Sequence, residues 1–309
     1  FTAKQQDKSS SKPSVTKKNN KIEVKAGDVV ATFDVATNYR LKDAASGLIS
    51  YQKNGKEVLK QAIEPNFWRA PIDNDFGADI QKRLSVWRAA GNNRLLKNVE
   101  VKEENNSVAV IYQYRLTDVS ADYTQTYTVN GNGTIKVDVQ YKTTNTDITE
   151  IPRFGNQITL PVALDNYRYY GRGPVENYVD RCAGAMLGIY ESKVKDQYVP
   201  YLRPQENGNK TDVRWLTLTD NAGFGLKVEG IQPMGVTALH CASEDFDPGL
   251  TKKHRHLNDI YPRKEVVLNV DLFQRGIGGT NSWGQLPLDQ YRYANKDYQF
   301  SYTLSIIQL

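Results

Sequence analysis

Hydrophobic and polar residues alternate along most of this chain from about residue 22 onward. Two segments carry the pattern most clearly, SVAVIYQYRL at 107–116 and TIKVDVQYKT at 134–143. The positions that share one side of these segments are Val108, Val110, Tyr112, Tyr114, Ile135, Val137, Val139 and Tyr141. A period of two predicts β-strands that bury one face and expose the other to water. The 19 tyrosines fit this prediction, because aromatic side chains pack well on a pleated sheet.

Turn residues between the alternating segments predict β-hairpins. NGNG at 130–133 separates two such segments, and Asn and Gly readily adopt the positive φ that tight hairpin turns require. QKNGKEV at 52–58 and TDNAGFGLKV at 219–228 have similar turn residues between apolar positions. The sequence therefore predicts three hairpins at these places.

The segment ADIQKRLSVWRAAG at 78–91 has helical spacing instead. Asp79 stands at its front and Gly91 fits a C-terminal stop. The apolar positions at helical spacing are Ile80, Leu84, Trp87 and Ala90. Many strands, regular turns and one short helix predict an all-β fold, a large antiparallel sandwich.

The formal net charge of +5 is concentrated at the start of the chain. Residues 1–25 contain seven lysines and two acidic residues, so residues 26–309 are formally neutral. A nucleic-acid-binding domain carries its basic charge on the folded surface, and this distribution argues against that class. The chain also has no apolar run long enough for a membrane span, and its first residues do not have the pattern of a signal peptide.

Composition also predicts where the domain begins. Residues 1–21 are rich in Lys, Ser and Asn, which predicts a disordered linker or tether. No linker or internal repeat divides residues 22–309, so we expect one large domain there.

Cys182 and Cys241 have no metal-binding spacing, and two free thiols are favoured over a disulfide.

Two segments contain side chains of metal-binding type. FWRAPIDNDFG at 67–77 includes Asp73 and Asp75, but it lacks the Gly and Glu that a calcium-binding EF-hand needs at its sixth and twelfth positions. His254 and His256 would share one face of a strand, without a third fixed ligand. We predict no metal site here and favour a loop that satisfies its own backbone and a polar strand face.

Two polar loops allow two interpretations. GRGPVENYVDR at 171–181 contains Glu176, and YLRPQENGN at 201–209 contains Glu206. Carboxylates, amides and guanidinium groups pair well with sugar hydroxyls, but they also pair with one another and brace turns. A glycosidase needs two carboxylates on either side of the scissile bond, and no pair in this sequence has that character. No catalytic residue is therefore predicted in the chain.

GIGGTNSWG at 276–284 places one large aromatic residue, Trp283, among glycines and small polar residues. Glycine allows unusual backbone geometry and the close approach of another group. A rigid indole offers a flat apolar surface to the C–H face of a sugar ring. The alternative is that Trp283 packs beneath its own loop.

Several of these motifs together resemble one family. The motifs, in chain order, are FWRAPIDNDFG, WRAAG, YYGRGPVENYVDR, YVPYLRPQENGN, HRH and GIGGTNSWG. They resemble the C-terminal, small-chain domain of bacterial β-galactosidases of glycoside hydrolase family two, over about residues 22–309. The resemblance implies a very large antiparallel super-sandwich related to galactose mutarotase.

The resemblance also implies a function. The catalytic glutamates would lie on an upstream barrel domain, so the isolated 309-residue fragment would be inactive. Trp283 would reach into the barrel's active site and line the sugar pocket, and Asn281 and Ser282 of the same stretch are further candidate substrate-binding residues. The fragment would need no cofactor, whereas the barrel could hold divalent and monovalent cations. The implied partners are a galactoside, the barrel domain and other copies of the full-length enzyme.

Two other functions fit the sequence less closely. One is a free-standing epimerase of the mutarotase type, with an acid and a base drawn from Glu176, His240, His254 or His256. The other is a carbohydrate-binding module without turnover. The sequence leaves the natural galactoside, the compartment and the roles of Glu176 and Glu206 open.

Overall fold

The computed structural model describes residues 12–35, 46–253, 255–279, 281 and 283–309. Strands dominate these residues, and the α-helices among them are four or five residues long. The strands are β1 (Ser14–Lys18), β2 (Lys21–Ala26), β3 (Val29–Asp34), β4 (Gly47–Lys53), β5 (Lys56–Glu57), β6 (Glu64–Asn66), β7 (Arg94–Glu103), β8 (Ser107–Leu116), β9 (Ala121–Asn130), β10 (Ile135–Thr143), β11 (Arg153–Pro161), β12 (Asn166–Gly173), β13 (Met186–Lys193), β14 (Lys210–Thr219), β15 (Phe224–Leu239), β16 (Glu265–Gln274) and β17 (Tyr298–Gln308). The helices are α1 (Asp73–Gly77), α2 (Ile80–Arg83), α3 (Trp87–Ala90) and α4 (Ser243–Phe246).

A small sheet is formed by β1 to β5 in chain order, and each neighbouring pair is antiparallel. Its first strand, β1, lies inside the segment predicted to be a disordered linker. The prediction that residues 1–21 form a tether is therefore wrong from Ser14 onward, because the backbone of β1 hydrogen-bonds to β2 along its whole length. Residues 1–11 lie outside the described residues.

A large sheet contains the other twelve strands. Its main path runs β13-β12-β14-β15-β17-β10-β9-β8-β7, and all of its pairings are antiparallel. The first half of the 16-residue β15 pairs with β17, and its second half pairs with β16, which continues to β11 and β6. The sheet therefore divides along β15. The prediction of a large antiparallel all-β fold is confirmed.

The predicted alternation and hairpins are confirmed. The predicted buried positions of β8 and β10 are at most 3% exposed, while most of their neighbours are half-buried or exposed. Hairpins join β4 to β5, β9 to β10 and β14 to β15 at the three predicted turns. Turn chemistry and period therefore determined these elements locally.

The small sheet packs on one face of the large sheet, and the main core lies between them. The rings of Phe33 and Tyr127 lie 5.4 Å apart across this interface. Tyr51 is fully buried and donates its hydroxyl to the carbonyl of Gly133 at 2.7 Å. A Cβ at Gly133 would lie 2.6 Å from Val29, so this turn can approach the small sheet closely only as glycine. The sandwich is therefore closely packed at this corner.

The prediction of one short helix over 78–91 is wrong. The segment forms two separate helices, α2 and α3, and α1 precedes them. Asp79 has a φ of 54°, which is left-handed and separates α1 from α2. The apolar side chains at helical spacing are still buried, so packing on the core, rather than one continuous helix, places them. Pieces this short gain little from helix propagation, and tertiary contacts hold them.

Both cysteines are free in this structure, as predicted. Cys241 is buried, and burial raises the pKa of its thiol to about 11.

Among the described residues, none of the helices has the length and apolar character needed to cross a membrane.

Candidate functional site

The loop that carries Trp283 follows β16 and meets two of the other motifs. The Nδ2 atom of Asn74, in α1, donates to the carbonyl of Ile277 at 3.2 Å. The carboxylate of Asp180 accepts hydrogen bonds from the backbone of Ile277 and Gly278. The fold thus brings together segments near residues 74, 180 and 280 that are far apart in the sequence.

Trp283 itself is 90% exposed. Its backbone nitrogen donates to Oδ1 of Asn281 at 2.9 Å, which fixes a local turn just before the indole. The next residue, Gly284, has a φ of 101°, and a Cβ there would lie 2.4 Å from the carbonyl oxygen of Gly77. The backbone on both sides of Trp283 is therefore held while its side chain projects into solvent. The alternative that Trp283 packs beneath its own loop does not fit this exposure.

Of the other two predicted substrate-binding residues, Asn281 is exposed, and its side chain takes part in the turn just described. Ser282 lies outside the described residues. Asn281 can therefore support Trp283 through the backbone, and its direct contact with substrate stays a prediction.

A charged cluster lies beside the Trp283 loop on α1. Asp73 pairs with Arg203 and Lys252, each at 2.9 Å from its Oδ1 atom. Partial burial raises the pKa of Asp73, but the hydrogen bond from Lys252 and the charge of Arg203 outweigh it and lower the pKa below its usual value. The guanidinium of Arg203 also lies 4.9 Å from the centre of the Phe76 ring. Asp73 is thus neutralised by cations of the protein.

Asp75, the second aspartate of the predicted loop, is buried. It pairs with Arg69 at 2.7 Å and with Arg275 at 3.1 Å, and its Oδ2 accepts from the backbone of Ile72 at 3.0 Å. Arg275 also pairs with Glu150 at 3.0 Å. Arg275 directly precedes Gly276, the first glycine of the Trp283 loop. This buried network anchors the start of the loop. The interpretation in which Asp75 satisfies the local backbone fits these contacts.

The structure gives no support for the two candidate metal segments. Within the described residues, no group of three or more His, Cys, Asp or Glu side chains is arranged to hold a metal ion. The backbone nitrogen of His256 donates to Asp259, at the start of a single helical turn. His254 lies outside the described residues.

A second buried cluster surrounds Arg153, which is fully buried. Its guanidinium lies 3.2 Å from Glu206 and 3.1 Å from Asp271, although the contact with Asp271 has the geometry of an ion pair rather than of a hydrogen bond. One guanidinium thus faces two carboxylates. Burial raises the pKa of Asp271 to about 7, and the charge of Glu206 adds to this shift, while Arg153 opposes it. Glu206 therefore braces the core.

The two polar loops of the sequence brace each other. Glu176 pairs with Arg181 and Tyr201, and its Oε2 accepts from the backbone of Gly208 at 2.7 Å. Asn177 is fully buried, and its Oδ1 accepts from both the backbone and the hydroxyl of Thr211. These contacts favour internal pairing over an open sugar-binding surface at the loops.

Sequence reasoning missed both the buried Arg153 cluster and the residues that hold the Trp283 loop. Arg153 and Asp271 lie within strands whose other residues are largely apolar, and that interruption is the one local signal for a buried ion pair. Asp180 lies in the polar loop at 171–181, and the sequence alone indicates no role for it. Its contact with Gly278 spans 98 positions, so no local pattern indicates it.

Comparison with known proteins identifies β-galactosidases as relatives of this chain. A family model described as "Beta galactosidase small chain" matches residues 34–304. A β-galactosidase of Priestia megaterium is 36% identical over 257 residues, which is 83% of this chain and 24% of that protein. A β-galactosidase of Halalkalibacterium halodurans is 31% identical over 266 residues, which is 85% of this chain and 26% of that protein. The chain thus spans about a quarter of the length of these relatives.

A solved structure shares the fold at low sequence identity. The galactosidase domain of an alpha-galactosidase-sucrose kinase superposes with a TM-score of 0.50 at 9% identity, over 96% of this chain and 42% of the other. At this identity the likeness concerns the fold alone.

Proposed function

This chain belongs to the β-galactosidase small-chain family, and from that premise we propose that it completes the galactoside-binding pocket of a β-galactosidase. A catalytic barrel elsewhere in the complete enzyme would supply the acids that cleave the glycosidic bond. The chain itself would supply Trp283 as an apolar platform for the sugar ring. The complete enzyme would hydrolyse terminal β-galactosides.

The observation that carries this proposal is the exposure of Trp283 on a fixed loop. An indole that is 90% exposed leaves a large apolar surface in water, which is unfavourable unless a partner covers it. Loop contacts at Ile277, Gly278 and Gly284 hold the backbone in place. A platform that is already positioned loses little entropy when it binds a sugar, and it orients the substrate for cleavage.

The most deeply buried carboxylates of the described residues are engaged within the domain, which fits a catalytic centre elsewhere. A glycosidase needs one carboxyl group as an acid and another as a nucleophile or base, both open to the substrate. The four most deeply buried carboxylates are each paired with arginine inside the domain, and these are Asp75, Glu150, Glu206 and Asp271. Such pairs stabilise the fold and are not available to a sugar.

The epimerase alternative has weaker support. An epimerase needs an acid and a base that both reach the reacting atoms of the substrate. The candidate residues instead contact different partners within the domain. Glu176 is bound to Arg181 and Gly208, whereas the ring nitrogens of His240 contact Asp165 and the carbonyl of Glu265. His256 lies on an exposed turn.

We expect this chain to leave the interconversion of galactose anomers at the buffer rate, because the described candidates Glu176, His240 and His256 contact different partners rather than one another. The measurement is proton NMR of freshly dissolved α-galactose with the chain added, following both anomeric signals. Acceleration that is lost in Glu176→Gln, but kept in the control Glu191→Gln, would instead identify an epimerase. Glu191 is a suitable control because it forms an exposed pair with Arg168.

A further inference from the structure

We propose that Asp180 is the positioning residue that holds the Trp283 loop in its galactoside-binding conformation. This inference rests on the proposed function and assigns a role within the same site. Asp180 lies in the loop after β12, whereas Trp283 lies in the loop after β16. The carboxylate joins these two loops.

The contacts of Asp180 are made to the backbone of the Trp283 loop. Its Oδ1 accepts from the nitrogen of Ile277 at 3.2 Å, and its Oδ2 accepts from the nitrogen of Gly278 at 2.7 Å. Two successive backbone N–H groups that point at one carboxylate form an anion-binding concavity. Hydrogen bonds with an ionised acceptor are stronger than those between neutral groups. The aspartate therefore fixes the direction of the peptide groups at the base of the loop.

The glycines of this loop are explained by the same carboxylate. A Cβ at Gly276 would lie 2.5 Å from Oδ2 of Asp180, and a Cβ at Gly278 would lie 3.1 Å from it. The first distance is shorter than the contacts that real Cβ atoms make, so the carboxylate occupies the space that a side chain would need. Glycine at these positions and aspartate at position 180 therefore form one structural unit.

In the described part of the chain, both hydrogen bonds to the Asp180 carboxylate come from the Trp283 loop. None of the Lys, Arg or His side chains described there forms an ion pair with it, and its neighbour Arg181 pairs with Glu176 instead. The charge of Asp180 is thus compensated by backbone N–H groups of the Trp283 loop. Together with the contact between Gly284 and Gly77 at the far end, this carboxylate holds the loop backbone while the Trp283 indole stays exposed.

The test is steady-state kinetics of the complete enzyme with Asp180→Asn, which keeps the size of the side chain but removes its charge. We expect KM for a β-galactoside to rise roughly 3- to 10-fold, with a smaller change in kcat and in thermal stability, because the indole is less well positioned. The control is Asp220→Asn, although Asp220, unlike Asp180, also pairs with a lysine, Lys56, at 2.7 Å. Asp220 also accepts two backbone N–H groups, from Ala222 at 2.9 Å and Phe224 at 3.0 Å, but in the distant turn between β14 and β15.

A second comparison separates positioning from a general loss of structure. If Asp180 acts through Trp283, then Asp180→Asn adds little to the defect of Trp283→Ala when the two are combined. An unchanged KM in Asp180→Asn would overturn the inference. It would also be overturned if Asp180→Asn raised KM by the same factor in the unmodified enzyme and in Trp283→Ala. If Trp283→Ala alone is without effect, the proposed function itself fails.

Discussion

Replacing Trp283 with alanine in the complete enzyme is expected to reduce kcat/KM for a β-galactoside by about 5- to 150-fold, which corresponds to roughly 1–3 kcal/mol. This is the loss typical of one large apolar contact. The thermal stability of the variant is expected to stay close to that of the unmodified enzyme, because the side chain is 90% exposed in this domain and packs on little of it. Steady-state kinetics and thermal melting measure the two effects.

Two further variants give this prediction its control. Trp283→Phe keeps a smaller apolar ring and should retain part of the activity lost in Trp283→Ala. Trp215→Ala removes a half-buried tryptophan that lies in β14 beside Arg168, and it should leave KM unchanged. If Trp283→Ala behaves like Trp215→Ala in kinetics, Trp283 is not part of the sugar pocket.

Replacing Arg153 with methionine is expected to lower the free energy of unfolding by about 3–5 kcal/mol, because it leaves the carboxylates of Glu206 and Asp271 buried without their cation. A loss of this size is a large part of the stability of an ordinary domain. Urea denaturation of this chain, followed by circular dichroism, measures it.

The matched control for Arg153 is an exposed ion pair. Arg168 pairs with Glu191 at 2.9 Å, and both side chains are about half exposed or more. Arg168→Met should therefore change the free energy of unfolding by at most about 1 kcal/mol, because solvent screens such a pair. Equal effects of the two substitutions would mean that the Arg153 cluster is not the buried support described here.

Much of the fold could be predicted from the sequence because its determinants are local. The alternation in β8 and β10 depends on one buried face, and the turn at 130–133 depends on residues that accept positive φ. The start of the small sheet could not be predicted in this way. The segment of β1 is polar and its residues are mostly exposed, so its composition resembles a tether even though its backbone is paired.

The helical region shows where local spacing is insufficient. The apolar positions from Ile80 to Ala90 fit one helix, but Asp79 and Leu84 depart from helical backbone angles and divide the region. Gly91 does follow the last helix, as predicted, although with a φ of −67° rather than a left-handed one. A Cβ there would lie 2.4 Å from the carbonyl of Pro65, so close packing requires this glycine.

The exposure of Trp283 fits the prediction from the sequence, and its contact with substrate stays a prediction. Trp283 was identified because a large aromatic residue among glycines is unusual, and the family resemblance then gave it a role. The residues that hold its loop were not identified, because Asp180 and Asn74 contact the loop only after the sheet has brought distant segments together. Contacts of this kind depend on topology rather than on sequence period.

Fluorine NMR of the complete enzyme labelled with fluorotryptophan tests the central claim most directly. The chain contributes four tryptophans, and spectra of Trp283→Phe and Trp215→Phe identify the two signals of interest. On titration with a non-hydrolysable β-galactoside, the account predicts that the Trp283 signal shifts until the site is saturated while the Trp215 signal stays in place. A Trp283 signal that is unchanged at saturating ligand would contradict the claim that this indole lines the sugar pocket.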